Sequence, residues 1–356
     1  MDRVLLTVSG SIAPDIPAAI EQGRRPRADY LELARACGAD VIDYRAAQRA
    51  RGRGGRALAR VLGEDALLAW ACFRRRKQYD VVFTDGEQVG LPFAALLWLS
   101  RRRPRHVMIG HRLSPRKKVV LHQLLRLRNR IDRVVVYASA QRQFAIDTLG
   151  YPPQQVVLTT FMVDTEFWRP ERVTVARRDR PMICAVGQEL RDYPTLVEAV
   201  RGLDVDVIVA AASPWSKRSD SSAGLDIPAN VDVRGFNLFD LRQLYADASF
   251  VVVPLQETDF QAGITTILEA MSMGKALVCT RTTGQTDAII DGETGVYVPP
   301  ADIERLRVAI RRLLDDPAAA TDLGQAGQRW VREQADIDAY ARRLADVVRG
   351  TARAER

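Results

Sequence analysis

Short runs of β-branched and apolar residues recur along the whole chain, and the intervals between them carry apolar residues at helical spacing, as at Leu196, Val197, Val200 and Leu203. That alternation restricts the architecture severely, because strands separated by helices are the pattern of βαβ units and of mainly parallel sheets. The runs Val4–Val8, Asp40–Asp43, Asp80–Thr84, His106–Ile109, Val134–Tyr137 and Val156–Leu158 predict strands in the first half. Met182–Ala185, Asp206–Ala210, Val231–Arg234, Phe250–Val253, Ala276–Cys279 and Gly295–Val298 predict those of the second. The fold class is therefore α/β, with two doubly wound domains.

The length agrees with that division, since 356 residues with 47% apolar content supply two cores. Between Phe167-Trp-Arg-Pro170 and Arg180-Pro181 the chain is charged, bounded by prolines and without sustained periodicity, which places the hinge there. The predicted domains are residues 1–170 and 171–335, followed by an amphipathic helix in 336–356. The longest uncharged apolar stretch, about Val89 to Leu99, is too short to span a bilayer, and Met1–Ser9 has the look of a first strand rather than a signal peptide, so a cytoplasmic protein is expected. Cys37, Cys72, Cys184 and Cys279 are widely spaced in apolar contexts and predict reduced core residues. Charge is uneven: residues 1–170 hold 29 Lys and Arg against 16 Asp and Glu, while the remainder is acidic by 5, giving the net +8. The basic loop Arg53–Arg56 reads as exposed, with no nucleic-acid partner expected.

One segment carries chemistry more plainly than any other. After the strand at Phe250–Val253, Gln261-Ala-Gly-Ile-Thr-Thr-Ile-Leu-Glu269-Ala-Met-Ser-Met-Gly274-Lys275 offers a tight turn at Gly263 and a helix, capped by Thr265 or Thr266, that runs to about Ser272. Backbone N–H groups of Ile264, Thr265 and Thr266 would then point out beyond the carboxyl end of the strand, where a phosphate binds. Glu269, about one turn further along, can accept hydrogen bonds from vicinal hydroxyls such as those of a ribose.

This segment resembles the donor-binding signature of the retaining family-4 glycosyltransferases of the GT-B fold. Glu269, Ala270, Met271, Gly274 and Lys275 match it, whereas Gln261 stands where relatives have a glutamate and Gly263-Ile264 where they have Phe-Gly. Further stretches are similar in the same order: Val163-Asp164 through Pro170, with Met162 for the usual glycine; Ala185-Val-Gly187; Asp291–Gly295; and Pro299–Asp302. The resemblance covers about residues 130–320. It implies two Rossmann-like domains facing across a cleft, the first on the acceptor side, the second holding a nucleotide-diphosphate sugar, and the C-terminal helix returning to the first. It implies transfer of the sugar to a hydroxyl acceptor, a lipid-linked one included, with retention of anomeric configuration and with neither metal nor other cofactor. By the same resemblance His111 hydrogen-bonds the sugar and Gln261 takes a sugar hydroxyl. Gly187 and Gln188 open the donor loop, and Arg191 replaces the family lysine at the phosphates, with Lys217 as a second candidate. Ser9 and Gly10, at the first strand's end, would let the diphosphate approach, and Glu87 would orient the acceptor hydroxyl.

Two stretches bear on alternatives. Asp204-Val-Asp206 has the form of a metal-binding triplet but begins an apolar strand, so no metal is assigned to it. Residues 113–130 read as an amphipathic helix with basic residues at both ends; the ordinary reading packs its apolar face on the sheet, and the other rests it on an anionic membrane surface. A nucleotide-sugar epimerase on the same fold and a non-catalytic nucleotide-sugar-binding protein are the rival classes.

Overall fold

The computed structural model describes residues 2–50, 60–176, 178–212 and 226–353. It divides into two compact units, one comprising 1–18, 27–159 and 338–356, the other 19–26 and 160–337. The first holds a six-stranded sheet of β1 Val4–Val8, β2 Asp40–Asp43, β3 Val81–Thr84, β4 Arg105–Ile109, β5 Arg133–Val136 and β6 Val156–Leu158, in the order β2-β1-β3-β4-β5-β6. The second holds β7 Met182–Val186, β8 Asp206–Ala212, β9 Val231–Gly235, β10 Val251–Val253, β11 Leu277–Thr280 and β12 Val296–Val298, in the order β12-β11-β10-β7-β8-β9. All strand pairings in both sheets are parallel. The twelve runs read from the sequence are these twelve strands, with ends shifted by a residue or two.

The strands are apolar throughout because both faces of each sheet are covered. In β7, Met182, Cys184 and Val186 enter one core while Ile183 and Ala185 enter the other, the alternation that a pleated strand imposes. Val251 and Val253 of β10 join the first core and Phe250 and Val252 the second.

The topology marks one place in each sheet. After β1 the chain builds outward to β2 and then returns to the other side of β1 for β3; after β7 it builds through β8 and β9 and returns beside β7 for β10. At such reversals the loops leaving the two central strands diverge and open a crevice at the strands' carboxyl ends.

The boundary between units differs from the sequence reading. Residues 160–170 belong to the second unit because Phe167 and Trp168 are buried in its core, and Val163 N–H donates to the Ala335 carbonyl. The helix Ile337–Arg353 lies in the first unit from Asp338 onward, where the Tyr340 and Tyr137 hydroxyls are 2.6 Å apart and Arg343 donates to Thr159 Oγ1.

The basic helix of the first unit, Arg116–Leu124, packs inward only in part: Val119 rests on the core that Leu113 and Leu127 enter. His122 is its only buried residue, while Val120, Leu121 and Leu124 are exposed. Polar partners decide the orientation: Lys118 reaches Glu87, and His122 Nε2 lies 2.7 Å from the Tyr151 hydroxyl. No helix among the described residues is long and apolar enough to cross a membrane.

Candidate functional site

In the second unit the reversal between β7 and β10 is built around Arg191. Gly187 follows β7 at φ 104°, and a Cβ there would stand 2.3 Å from Arg191 Nη2, so only glycine leaves room for the guanidinium to pass. Arg191 Nε donates to the Val186 carbonyl at 2.9 Å, Nη1 to the Glu189 carbonyl at 2.9 Å and Nη2 to Thr266 Oγ1 at 3.1 Å. The loop is also stitched to the end of β10, because Asp192 N–H donates to the Pro254 carbonyl and Gln256 N–H to that of Leu190.

The helix Ile264–Ser272 starts against this arginine. Its N-cap is Gly263, left-handed at φ 75°, and no side chain caps it. The prediction that Thr265 or Thr266 would cap is corrected: Thr266 lies buried within the first turn, where its hydroxyl accepts from Arg191. The first-turn N–H groups of Ile264, Thr265 and Thr266 therefore have neither intrahelical acceptors nor a capping side chain, and they add to the positive end of the helix dipole. Arg191 is itself corrected from an open phosphate fork to a buried positive charge beneath that turn, at 5% exposure.

Glu269 is buried, and its Oε2 accepts from the Tyr245 hydroxyl at 3.0 Å. Burial pushes this carboxyl up to about 8, against the opposing pull of Tyr245 and Arg191. The loops 256–263 and 281–285 are clamped together: Gly284 N–H donates to the Thr258 carbonyl, Thr283 N–H to Glu257 Oε1, and Gln285 Nε2 to the Ala262 carbonyl. On these loops Gln261 Oε1, Gln285 Oε1, Thr258 Oγ1 and Thr282 Oγ1 are buried with no hydrogen-bond partner in the protein. Such atoms are costly unless something donates to them, and the two amide oxygens can only accept. Gln188 is half-buried in the loop after Gly187. The remaining motif residues serve the scaffold, since Lys275 Nζ donates to the Ala246 carbonyl in the last turn of the helix Leu238–Asp247.

In the first unit the reversal between β1 and β3 gathers a polar network around Asp85. Its carboxylate accepts from Thr7 Oγ1 at 2.6 Å, Ser9 N–H at 2.5 Å and Ser9 Oγ at 2.8 Å. His111 is exposed, and its Nε2 lies 2.9 Å from the Asp85 carbonyl oxygen. A carbonyl only accepts, so Nε2 carries the hydrogen. Gly10 is flanked by open space at its missing Cβ. Glu87, expected to orient the acceptor hydroxyl, is buried at the start of the helix Glu87–Leu97, and its carboxylate accepts from His111 N–H at 2.9 Å, Arg112 N–H at 3.3 Å and the Lys118 ammonium at 2.6 Å. Burial works to raise its pKa, but Lys118 and His111 bring it below the usual carboxylate value.

Sequence reasoning missed three residues. Asp85, the hub of the network, was legible as a carboxylate ending a strand. Asp29, whose carboxyl burial pushes up and which feels Asp85 and His111, and Tyr245, the partner of Glu269, give no local signal because their partners are remote in sequence. Lys217 and the loop Arg53–Arg56 lie outside the described residues. Asp204 and Asp206 are both engaged by Arg180, at 2.8 and 2.9 Å, and among the described residues no three His, Cys, Asp or Glu side chains gather as a metal site.

Residues 173–316, within the second unit, match the family described as Glycosyl transferases group 1. MMP alpha-(1->4)-mannosyltransferase of Mycolicibacterium hassiacum is 25% identical over 277 residues, 72% of this chain and 66% of that protein. Glycogen synthase of Mycobacterium tuberculosis is 37% identical over 89 residues, 25% of this chain and 22% of the relative. The chain thus spans just under two thirds of the first of these relatives and about a fifth of the second. Among solved structures, sucrose-phosphate synthase from Thermosynechococcus elongatus superposes with a TM-score of 0.74 over 100% of both chains at 17% identity. Anabaena HepE, in complex with UDP and glucose, superposes with a TM-score of 0.69 at 15% identity, over 98% of this chain and 100% of that one. The two six-stranded parallel sheets are those of the GT-B fold.

Proposed function

We propose that this GT-B chain, whose residues 173–316 match the group 1 glycosyl transferases, moves a sugar from a nucleoside-diphosphate sugar to an acceptor hydroxyl with retention of configuration. One observation carries the reading: the uncapped first turn at Ile264–Thr266 lies directly over the buried Arg191 guanidinium, so amide donors and a positive charge meet at one point of the β7–β10 reversal. A diphosphate leaving group gains charge as its bond to the sugar breaks, and groups fixed in advance at that point stabilise it without reorganising. In the reaction proposed, the bond from the anomeric carbon to the phosphate oxygen breaks and one to the acceptor oxygen forms on the same face. The acceptor's proton goes to the leaving phosphate oxygen, so the protein supplies position and electrostatics. The helix amides and Arg191 provide positive charge, and we therefore assign no metal or other cofactor.

Glu269 would take the ribose hydroxyls, Gln261 a sugar hydroxyl, and Nδ1 of His111 another hydroxyl of the reacting pair; Gly10 would admit close approach of the substrate. Gln188 would line the donor loop. We favour a lipid-linked acceptor, because the first unit carries an outward apolar face that a bilayer would cover. Free cysteines at 37, 72, 184 and 279 support a cytoplasmic setting on the inner side of that bilayer.

A thermal-shift screen of nucleoside-diphosphate sugars tests the donor claim; a true donor at a hundred times its dissociation constant raises stability by about 2.7 kcal/mol. Slow hydrolysis of that donor without acceptor, undiminished by chelator and releasing the retained anomer first, is the expected result. Binding without any turnover would leave a nucleotide-sugar-binding protein, and an altered sugar still joined to the nucleotide would point to an epimerase.

A further inference from the structure

We propose that Gln285 is a positioning residue for the donor turn: its side-chain amide holds the Ala262 carbonyl and so aims the Gly263 N–H at the diphosphate, beside the amides of Ile264, Thr265 and Thr266. The proposal rests on the donor reading above. Gln285 is fully buried, and its Nε2 donates to the Ala262 carbonyl at 2.9 Å. No other group among the described residues donates to that carbonyl. A trans peptide is planar, so its N–H points opposite to its carbonyl. With the carbonyl drawn toward the buried amide, the Gly263 N–H faces the other way, and it has no acceptor among the described residues. Gly263 is left-handed at φ 75° and Ile264 opens the helix; a left-handed residue joined to a right-handed one turns successive N–H groups to one side, the shape that holds an anion. The hydrogen bond at the carbonyl also polarises the same peptide and strengthens its N–H as a donor.

The loop that carries Gln285 is itself fixed. A Cβ at Gly284 would stand 2.2 Å from the Phe260 carbonyl oxygen, Gly284 N–H donates to the Thr258 carbonyl, and Gln285 N–H turns back to that of Thr282. The amide sits there at a cost. Its Oε1 is buried with no partner in the protein, whereas a leucine would fill similar space and leave no polar atom unmatched. What leucine cannot supply is a donor to Ala262. The one bond that the buried amide makes therefore goes to the peptide that precedes the uncapped helix, and it sets the direction of that peptide.

Two variants of the full chain test this, with whichever of UDP, GDP and ADP the parent binds best as the probe. Gln285→Leu removes the donor at similar volume, so affinity for the diphosphate should fall about tenfold while affinity for the matching nucleoside is unchanged. Gln285→Glu checks the direction of the proton. A protonated carboxyl can donate to the Ala262 carbonyl and an ionised one repels it, and burial raises the pKa of such a group. Relative to the parent at the same pH, this variant should bind the diphosphate equally at about pH 5.5 and about tenfold more weakly at about pH 8.5. In the ligand-free chain, isotope labelling of the alanine carbonyl and the glycine nitrogen picks out the Ala262–Gly263 peptide. Its resonance should move in Gln285→Leu and, in Gln285→Glu, only as pH rises. An unmoved resonance or an unchanged diphosphate affinity in Gln285→Leu overturns the proposal. So does equal weakening of Gln285→Glu at both pH values, which would be a packing effect. A parent that binds none of the three diphosphates removes the donor reading instead, and the free-chain resonance still shows whether Gln285 holds the turn.

Discussion

The two sheet reversals share a topology and differ in how their polar groups are satisfied. Around β1 and β3 the groups satisfy one another: Asp85 is hydrogen-bonded by Thr7 and Ser9, and Glu87 holds the His111 backbone and Lys118. Around β7 and β10 they do not. The helix at Ile264 is uncapped, and four side-chain atoms on the neighbouring loops are buried without protein partners. The first arrangement fixes geometry before any ligand arrives; the second keeps hydrogen-bonding capacity that a ligand can complete. Leaving a buried polar group unmatched costs about 1–3 kcal/mol, which a bound nucleotide sugar would recover as affinity.

The sharpest way to break this comparison is to add the same methyl group at each reversal. Gly187→Ala places a Cβ against the Arg191 guanidinium and forces alanine to φ 104°, so a loss of about 2–4 kcal/mol is expected in denaturant unfolding, together with loss of nucleotide binding. Gly10→Ala meets nothing within 4 Å and should lie within about 0.5 kcal/mol of the parent. Equal destabilisation at the two sites would mean that Arg191 does not brace the donor turn. Weaker donor binding in Gly10→Ala, with stability intact, would support the close approach assigned to that glycine.

Glu269 supplies the next largest effect. Glu269→Gln keeps a group for the Tyr245 hydroxyl to bond but removes the carboxylate, so donor affinity should fall about 10- to 100-fold while the fold is unharmed. The pH dependence fixes the sign. The folded pKa, about 8, lies above the ordinary 4.5, so this group's contribution to stability is fully present below about 4.5 and is lost as pH rises toward 8. Ribose hydroxyls donating to the carboxylate would favour the ionised form, so donor affinity should instead rise from pH 6 toward 8, with a proton released on binding. Calorimetry in buffers of different ionisation enthalpy measures that proton. A flat profile in the parent chain, or the same slope in Glu269→Gln, would remove Glu269 from the ribose.

A smaller, kinetic effect is expected in the first unit. Glu87→Gln weakens the hold on Lys118 and on the His111 backbone, and a drop in kcat of about tenfold is expected with the donor KM unchanged. Because Glu87 has a lowered pKa, its stabilisation is present above about 4.5 and lost as pH falls through the folded value. The acid limb of unfolding should therefore shift in the variant. A raised acceptor KM at full kcat would instead return Glu87 to direct contact with the acceptor.

The strands were legible because parallel strands buried on both faces are written as uninterrupted β-branched runs. The motif at Gln261–Lys275 likewise marked its strand, turn and helix. Orientation and partnership were not legible. Nothing near Thr266 reveals that Arg191 will claim its hydroxyl and leave Gly263 at the cap. The helix Arg116–Leu124 shows an apolar stripe, yet two partners distant in sequence, Glu87 and Tyr151, turn its polar residues inward. Glu87 looked like a substrate ligand because position was its only clue, and position does not disclose a lysine 31 residues away. Local pattern writes the elements, whereas the side chains that aim them are settled by long-range pairs.

The smallest expected effect separates chemistry from scaffolding within the motif itself. Lys275 sits in the most recognisable part of the signature, but its ammonium donates to the Ala246 carbonyl, where a positive charge complements the end of the helix Leu238–Asp247. Burial lowers its pKa, as expected for an ammonium tucked under a helix rather than opposed by a phosphate. Lys275→Met retains the length of the side chain and removes the donor. A loss of about 1 kcal/mol in unfolding free energy is expected, with kcat and donor KM unchanged. A tenfold rise in donor KM at unaltered stability would instead move Lys275 from the support of the helix to the substrate, and would extend the donor side's reserve of unmatched groups to the far end of the motif.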